Sequence, residues 1–153
     1  GIAVYGLDPF GVNPARHGLE PVAALVAAVA AVKECAPGES TGYGRRFVAT
    51  RPTLVATVPV GYGDGYRRAF SSRAPVLIGG RRGTILGNVS MDNITVDVGQ
   101  ADVAVGERVE LIGGSGPTAE ELAAIADTIN YEITCGLAAR PSRRWHRDGE
   151  SID

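Results

Sequence analysis

Lysine is nearly missing from this chain: of its 15 basic residues only Lys33 is a lysine, and the others are arginine. Chemistry that needs a lysine amine, a Schiff base above all, therefore has one candidate. Lys33 lies between Val32 and Glu34, just before the Pro37-Gly38 turn, a setting that reads as the exposed end of an element. Cysteine is as scarce. Cys35 and Cys135 stand far apart, with no Cys-x-x-Cys pair or His/Cys cluster, which argues against a metal site and a disulfide framework and suits a reduced, cytoplasmic chain. The longest apolar run, Val22 to Val32, falls well short of the ~20 residues that a membrane-spanning helix needs. Net charge is low as well, at a formal -2, which gives no long-range attraction for nucleic acid or an anionic membrane. The locally basic stretch from Arg140 to Arg147 reads as solvated surface. Neither an initiator Met nor a basic leader opens the chain, so no secretion signal is visible and the chain reads as a fragment of something longer.

What is present suffices for one domain. The 153 residues are 44% hydrophobic and 21% charged, near the average for a globular domain with a single core. Gly1 to Gly6 reads as a short buried strand, and Asp8 to Gly18 as a Pro- and Gly-bearing connector at a domain boundary. Pro21 to Cys35 is ambiguous, because its alanines and the spacing of Leu25, Val29 and Val32 suit a helix. From Phe47 onward the pattern is clearer. Short β-rich runs at Phe47 to Thr50, Thr53 to Val60, Val76 to Ile78, Thr84 to Leu86, Ile94 to Val98 and Arg108 to Ile112 predict a closed or sandwiched antiparallel sheet. One helix follows, with Thr118 and Glu121 as a capping box and Leu122, Ile125, Ala126 and Ile129 as its apolar stripe. The end, from Asp148 to Asp153, is expected to fray.

The chain is organised around Val58-Pro59-Val60-Gly61-Tyr62-Gly63-Asp64-Gly65-Tyr66-Arg67-Arg68. A strand running into three spaced glycines can turn sharply while presenting a phenol and a carboxylate, although a plain hairpin is the commoner use of such a run. Tyr43 is set similarly, between Gly42 and Gly44 and beside Arg45 and Arg46. Asp64 and Asp92 read as acceptors for the amides of their own turns.

Together with Gly1-Ile2-Ala3-Val4-Tyr5-Gly6, Gly87-Asn88-Val89-Ser90-Met91-Asp92-Asn93 and Asn130-Tyr131-Glu132, these segments stand in an order and spacing that resembles the C-terminal part of alanine racemase, a pyridoxal-phosphate enzyme. The resemblance covers nearly the whole chain and implies a strand at Pro21 to Cys35. The expected fold is mainly β, a closed Greek-key β-barrel of about six strands with one short α-helix. Residues 1–18 would be the end of an N-terminal barrel and its linker, 19–147 the C-terminal β domain, and 148–153 a tail. By the same resemblance Tyr43 is the catalytic acid or base on one face of the substrate. Tyr62, Met91 and Arg68 meet or admit the substrate, and the amides of Gly1 and Ile2 meet the cofactor phosphate. A phenol ordinarily titrates near ~10, so such a base needs cations or hydrogen bonds that stabilise its phenolate.

The implied partners are alanine, as substrate, and the N-terminal barrel of a second subunit in a homodimer, which would hold pyridoxal phosphate on its own lysine. The domain alone is then expected to be inactive, and the whole enzyme to supply D-alanine for cell-wall precursors. No metal, nucleic acid or membrane partner is implied. Asn88 stands where many relatives carry an arginine, which makes the entrance less cationic. Two other readings remain open at this point. One is a domain of a serine or broad-specificity racemase, and the other a non-catalytic β-barrel module that binds acidic partners through its arginine-rich tail.

Overall fold

The alanine-rich run after Pro21 decides the architecture. Alanine favours helix locally, yet in the computed structural model, which describes residues 1–99 and 101–152, this run is extended. It supplies Leu25–Ala28 (β1) and Ala31–Cys35 (β2), as the resemblance implied. Ser40–Thr41 (β3) and Phe47–Val48 (β4) then pair as a small ribbon. The larger strands follow as Thr53–Val58 (β5), Pro75–Ile78 (β6), Arg81–Leu86 (β7), Ile94–Gly99 (β8) and Arg108–Ile112 (β9). Seven of these form one antiparallel sheet in the order β1-β9-β6-β7-β8-β5-β2.

β1 and β2 occupy opposite edges although only Val29 and Ala30 separate them. Val29 donates to the Glu107 carbonyl and accepts from Gly106 beside β9, while Ala30 donates to the Thr57 carbonyl of β5. One extended run thus draws both edges toward each other. Because its halves lie end to end, no ladder joins β1 to β2, and the sheet is a curled half-barrel of seven strands where a closed barrel of about six was expected. Pairing of β1 with β9 and of β2 with β5 outweighs the helical preference of the alanines.

The opening residues also depart from expectation. Ile2–Tyr5 is a 3-10 turn, not a strand, and Gly6 ends it with φ 71. A Cβ on Gly6 would fall 1.7 Å from the Glu20 carbonyl oxygen, so chain crossing requires glycine there. Ile2 and Leu7 enter the core, and the connector behind them is fastened by a buried polar group. The Asp8 carboxylate accepts from the amides of Phe10, at 2.7 Å, and Val12, at 3.3 Å, and from Nδ1–H of His17. Its own amide donates to Glu120 Oε1, and its carbonyl accepts from Asn130 Nδ2.

Thr118 caps the first helix, Ala119–Ile125 (α1), by accepting from the Glu121 amide at 3.1 Å. The rest of the expected capping box is missing. The Glu121 carboxylate turns instead to Arg82, with contacts of 2.6 and 3.0 Å. The stripe also ends early: Asp127 takes a left-handed φ of 54, Ile129 is exposed, and a second helix, Asn130–Cys135 (α2), starts after it. Asp148, expected to fray, precedes Glu150–Ser151 (β11), which pairs with His146–Arg147 (β10), and Asp153 lies outside the described residues.

The main core gathers Tyr66, Phe70, Ile85, Ile94, Leu111 and Leu122 between the concave sheet and the helices. The Tyr66 and Phe70 rings meet at 4.8 Å. A second, smaller cluster of Cys35, Ala49, Val55 and Leu86, with Phe47 against it, lies under the β3-β4 ribbon. That cluster seats the ribbon on the outer face of β5.

Two stability measurements follow from this packing. Thr118→Ala should cost about 1 kcal/mol in chemical denaturation, the usual worth of such a cap. Burial acts to raise the Asp8 carboxyl, but hydrogen bonds from His17 and from the Phe10 and Val12 amides outweigh it and hold the group below the ordinary carboxylate range. Its contribution is therefore fully present above the unfolded value near ~4 and is lost as pH falls through the lower folded value. Asp8→Asn should destabilise the protein at pH 7, and the gap to wild type should shrink below about pH 4.

Candidate active site

After β5 the chain makes a single 3-10 turn, Tyr62–Asp64, within Gly61-Tyr62-Gly63-Asp64-Gly65. Close neighbours, more than sharp turning, account for its glycines. A Cβ at Gly61 would lie 2.2 Å from the Ser90 carbonyl oxygen, one at Gly63 2.9 Å from Arg140 Nη2, and one at Gly65 2.2 Å from the Gly136 carbonyl oxygen. Only at Gly65, with φ 92, does the backbone also adopt the left-handed region. The approach is hydrogen-bonded. Tyr62 donates its amide to the Ser90 carbonyl and Gly63 to the Met91 carbonyl, each at 3.0 Å, so the turn and the methionine loop are held side by side.

Asp64 serves its own turn as expected, accepting from the Gly61 amide at 2.8 Å. Its remaining capacity goes to Arg140, the first residue of the stretch that reads as solvated surface. Arg140 donates from Nε to Oδ1 at 2.7 Å and from Nη2 to Oδ2 at 2.8 Å, a bidentate pair. The same guanidinium reaches Asp92 Oδ1 at 2.6 Å and the Met91 carbonyl at 3.3 Å. Asp92 therefore receives a distant arginine in place of the amide of its own turn. Arg140 holds the Asp64 carboxyl below the ordinary range against its burial, and the Gly61 amide adds to that.

Segment 87–92 is the hub of the site. Asn88 Nδ2 donates to the Tyr43 carbonyl at 2.9 Å. The Val89 amide donates to Ser71 Oγ, whose hydroxyl donates to the Arg68 carbonyl. Through this one segment the structure gathers Tyr43, Tyr62, Arg68 and Met91. Their side chains face outward: Tyr43 is 76% exposed, Met91 52% and Tyr62 49%, and Arg68 is exposed too. The methionine is thus no core residue.

Gly1 and Ile2 lie apart from that hub. Ile2 lines an apolar groove of about 420 Å³ with Leu7, Leu25, Ile112, Tyr131 and Leu137. Residues 136–140 connect the two regions, since Ala138 donates to the Asp64 carbonyl and Leu137 lines the groove. Tyr131, part of the Asn130-Tyr131-Glu132 motif, lines the same groove as Ile2 because of how α2 packs. Lys33 is exposed on β2. Among the described residues no group of three or more His, Cys, Asp or Glu side chains could hold a metal, and no helix is long and apolar enough to cross a membrane.

Fold and site together define a small β domain that presents two phenols, a thioether and an arginine outward from one loop hub. Residues 22–145 match the family described as alanine racemase, C-terminal domain. An alanine racemase from Geobacter sp. (strain M21) is 45% identical over 94% of this chain and 39% of its own length, and one from Thermobifida fusca is 44% identical over 94% and 39%. The biosynthetic alanine racemase of Pseudomonas aeruginosa superposes with a TM-score of 0.90 at 40% identity, over 96% of this chain and 41% of that one. The chain belongs to the alanine racemase family, as its C-terminal domain. It spans about two fifths of the length of these relatives.

Replacing Arg140 tests the clamp. In Arg140→Met the Asp64 carboxyl should titrate at higher pH, because its burial persists without the guanidinium. Hydrogen exchange should quicken at Gly61 and Gly63 while the β5 amides stay protected, which carboxyl NMR and exchange mass spectrometry would read.

Proposed function

We propose that this domain takes part in interconverting L- and D-alanine by bringing Tyr43 to a pyridoxal-phosphate site completed by the N-terminal barrel of a second subunit in a homodimer. The observation that carries this reading is the placement of Tyr43 in a chain of this family. Tyr43 is exposed, stands outside both core clusters, and its carbonyl is bonded to Asn88 in the segment that carries Met91 and accepts from the Tyr62 amide. Inverting a stereocentre requires a proton acceptor on one face and a donor on the other. Tyr43 would serve one face, and a group of the partner subunit the other.

Tyr62 and Met91, both half-exposed, would wall the space around the substrate's small side chain. Arg68 would favour entry of its carboxylate. Pyridoxal phosphate, when bound, supplies the electron sink that lets the α-proton leave. Gly1 and Ile2, apart from the Tyr43 hub, would meet the phosphate of the cofactor held by this chain's own barrel, since they head a 3-10 turn whose first amides have no acceptor within the turn. We place residues 1–18 at the end of the barrel and its linker, and 19–147 in the domain proper. The reading puts the enzyme in the cytoplasm, supplying D-alanine for peptidoglycan precursors.

In the full-length protein Tyr43→Phe should lower kcat for alanine racemisation by about 10²–10⁴ with little change in melting temperature. Racemisation at the wild-type rate would overturn the assignment, and faster turnover of serine than of alanine would overturn the substrate. The 153-residue chain mixed with pyridoxal phosphate should not racemise L-alanine, because its sole lysine is exposed on β2.

A further inference from the structure

Tyr43 sits on a loop with little to hold it. Its ring is 76% exposed, and the ribbon that carries it has only two residue pairs, Ser40 with Val48 and Thr41 with Phe47. Between those strands the backbone passes through Gly42 at φ 75, Gly44 at φ 75 and Arg45 at φ 49, the last a left-handed conformation without glycine's freedom. The glycines adopt these angles freely, whereas the Arg45 conformation persists only where neighbouring structure imposes it.

What reaches the loop from outside is Asn88. Its Nδ2 donates to the Tyr43 carbonyl at 2.9 Å, 45 residues away in sequence, and lies 3.6 Å from where a Gly44 Cβ would be. The base of Asn88 is itself well anchored. The Gly87 carbonyl accepts from Ser72 Oγ at 3.1 Å, and the Val89 amide donates to Ser71 Oγ at 2.9 Å. Val89 is buried in the main core. At Gly87 a Cβ would meet the Thr41 carbonyl oxygen at 3.3 Å, so the segment already lies against the ribbon.

We propose that Asn88 is a positioning residue for the reaction: its amide tethers the Tyr43 carbonyl to the 87–92 hub and so sets the reach of the phenol toward the substrate's α-carbon. The proposal rests on the reading of Tyr43 given above. Proton transfer is sensitive to placement, and an error near 1 Å can cost about 10²-fold in rate. A carboxamide suits the task because it donates to a carbonyl and adds no charge. An aspartate at 88 could only accept, and would face the Tyr43 carbonyl with a second acceptor. Asn88 makes the entrance less cationic than an arginine would, and in return holds the Tyr43 carbonyl.

The test uses the full-length enzyme with Asn88→Ala, the near-isosteric Asn88→Asp, and Tyr43→Phe as reference. Both Asn88 variants should lose about 10- to 100-fold in kcat, with KM changed less than about twofold. The α-deuterium isotope effect should grow in one direction only, that in which Tyr43 takes the proton. Amides 42–46 should exchange faster, while β5 and the melting temperature stay as in wild type. Wild-type kcat in both Asn88 variants, with Tyr43→Phe inactive, would overturn the positioning role and leave the function of Tyr43 standing. An active Tyr43→Phe would overturn the function itself. Unchanged exchange at 42–46 in Asn88→Ala would overturn the tether whatever the rates.

Discussion

A guanidinium laid against a carboxylate 76 residues earlier in the chain holds this domain's loops in place. Arg140 engages both oxygens of Asp64, and the same planar group reaches Asp92 and the Met91 carbonyl, so two segments share one cation. Arginine fits this position because its fork can satisfy several acceptors at once, which a lysine ammonium would do with less directional control. The pair is partly open to water and adds modestly to stability. Its larger effect is geometric, since it fastens the turn after β5 to the methionine loop. The small residues complete that effect, because Gly61, Gly63 and Gly65 let neighbouring backbones approach to distances at which any Cβ would collide.

The consequence is a rigid base carrying loosely covered side chains. The core of Tyr66, Phe70 and Val89 underlies the hub, while Tyr43, Tyr62 and Met91 stand outside it. Large apolar or aromatic groups left outside in this way raise the question of what covers them. In the reading offered here the answer is substrate, cofactor and a second subunit's barrel, and the lone domain is half of a site. Placing reactive groups on loops tied to a rigid sheet is a common solution, because the sheet supplies position and the loop supplies access.

Some of this was legible in the chain before any coordinates. The strand from Thr53 and the run from Arg108 to Ile112 stand where alternation and β-branched residues put them, since those patterns report local burial. Thr118 caps its helix because that interaction spans three residues. The second half of the capping box was not legible, because Glu121 found a better partner in Arg82, 39 residues away. Arg140 read as solvated for the same reason: nothing local distinguishes an arginine that will meet Asp64 from one that will meet water. Likewise, the structural duty of Asn88 could not be read from its own neighbours, because the Tyr43 carbonyl it holds is remote in sequence.

By itself the sequence determined the β-rich middle, the helix start after Pro117, the scarcity of lysine and the motifs that resemble one family. These are properties of residue type and short spacing. Tertiary structure alone decided that the alanine-rich run would be two end-to-end strands on opposite edges of a curled sheet, and that Ile2 and Leu7 would enter the core while Val4 and Tyr5 stay outside it. It also decided that Tyr43, Tyr62, Arg68 and Met91 would converge on one loop. Each of those outcomes depends on hydrogen bonds and close contacts between residues tens of positions apart, which local preference neither encodes nor opposes strongly enough to prevent.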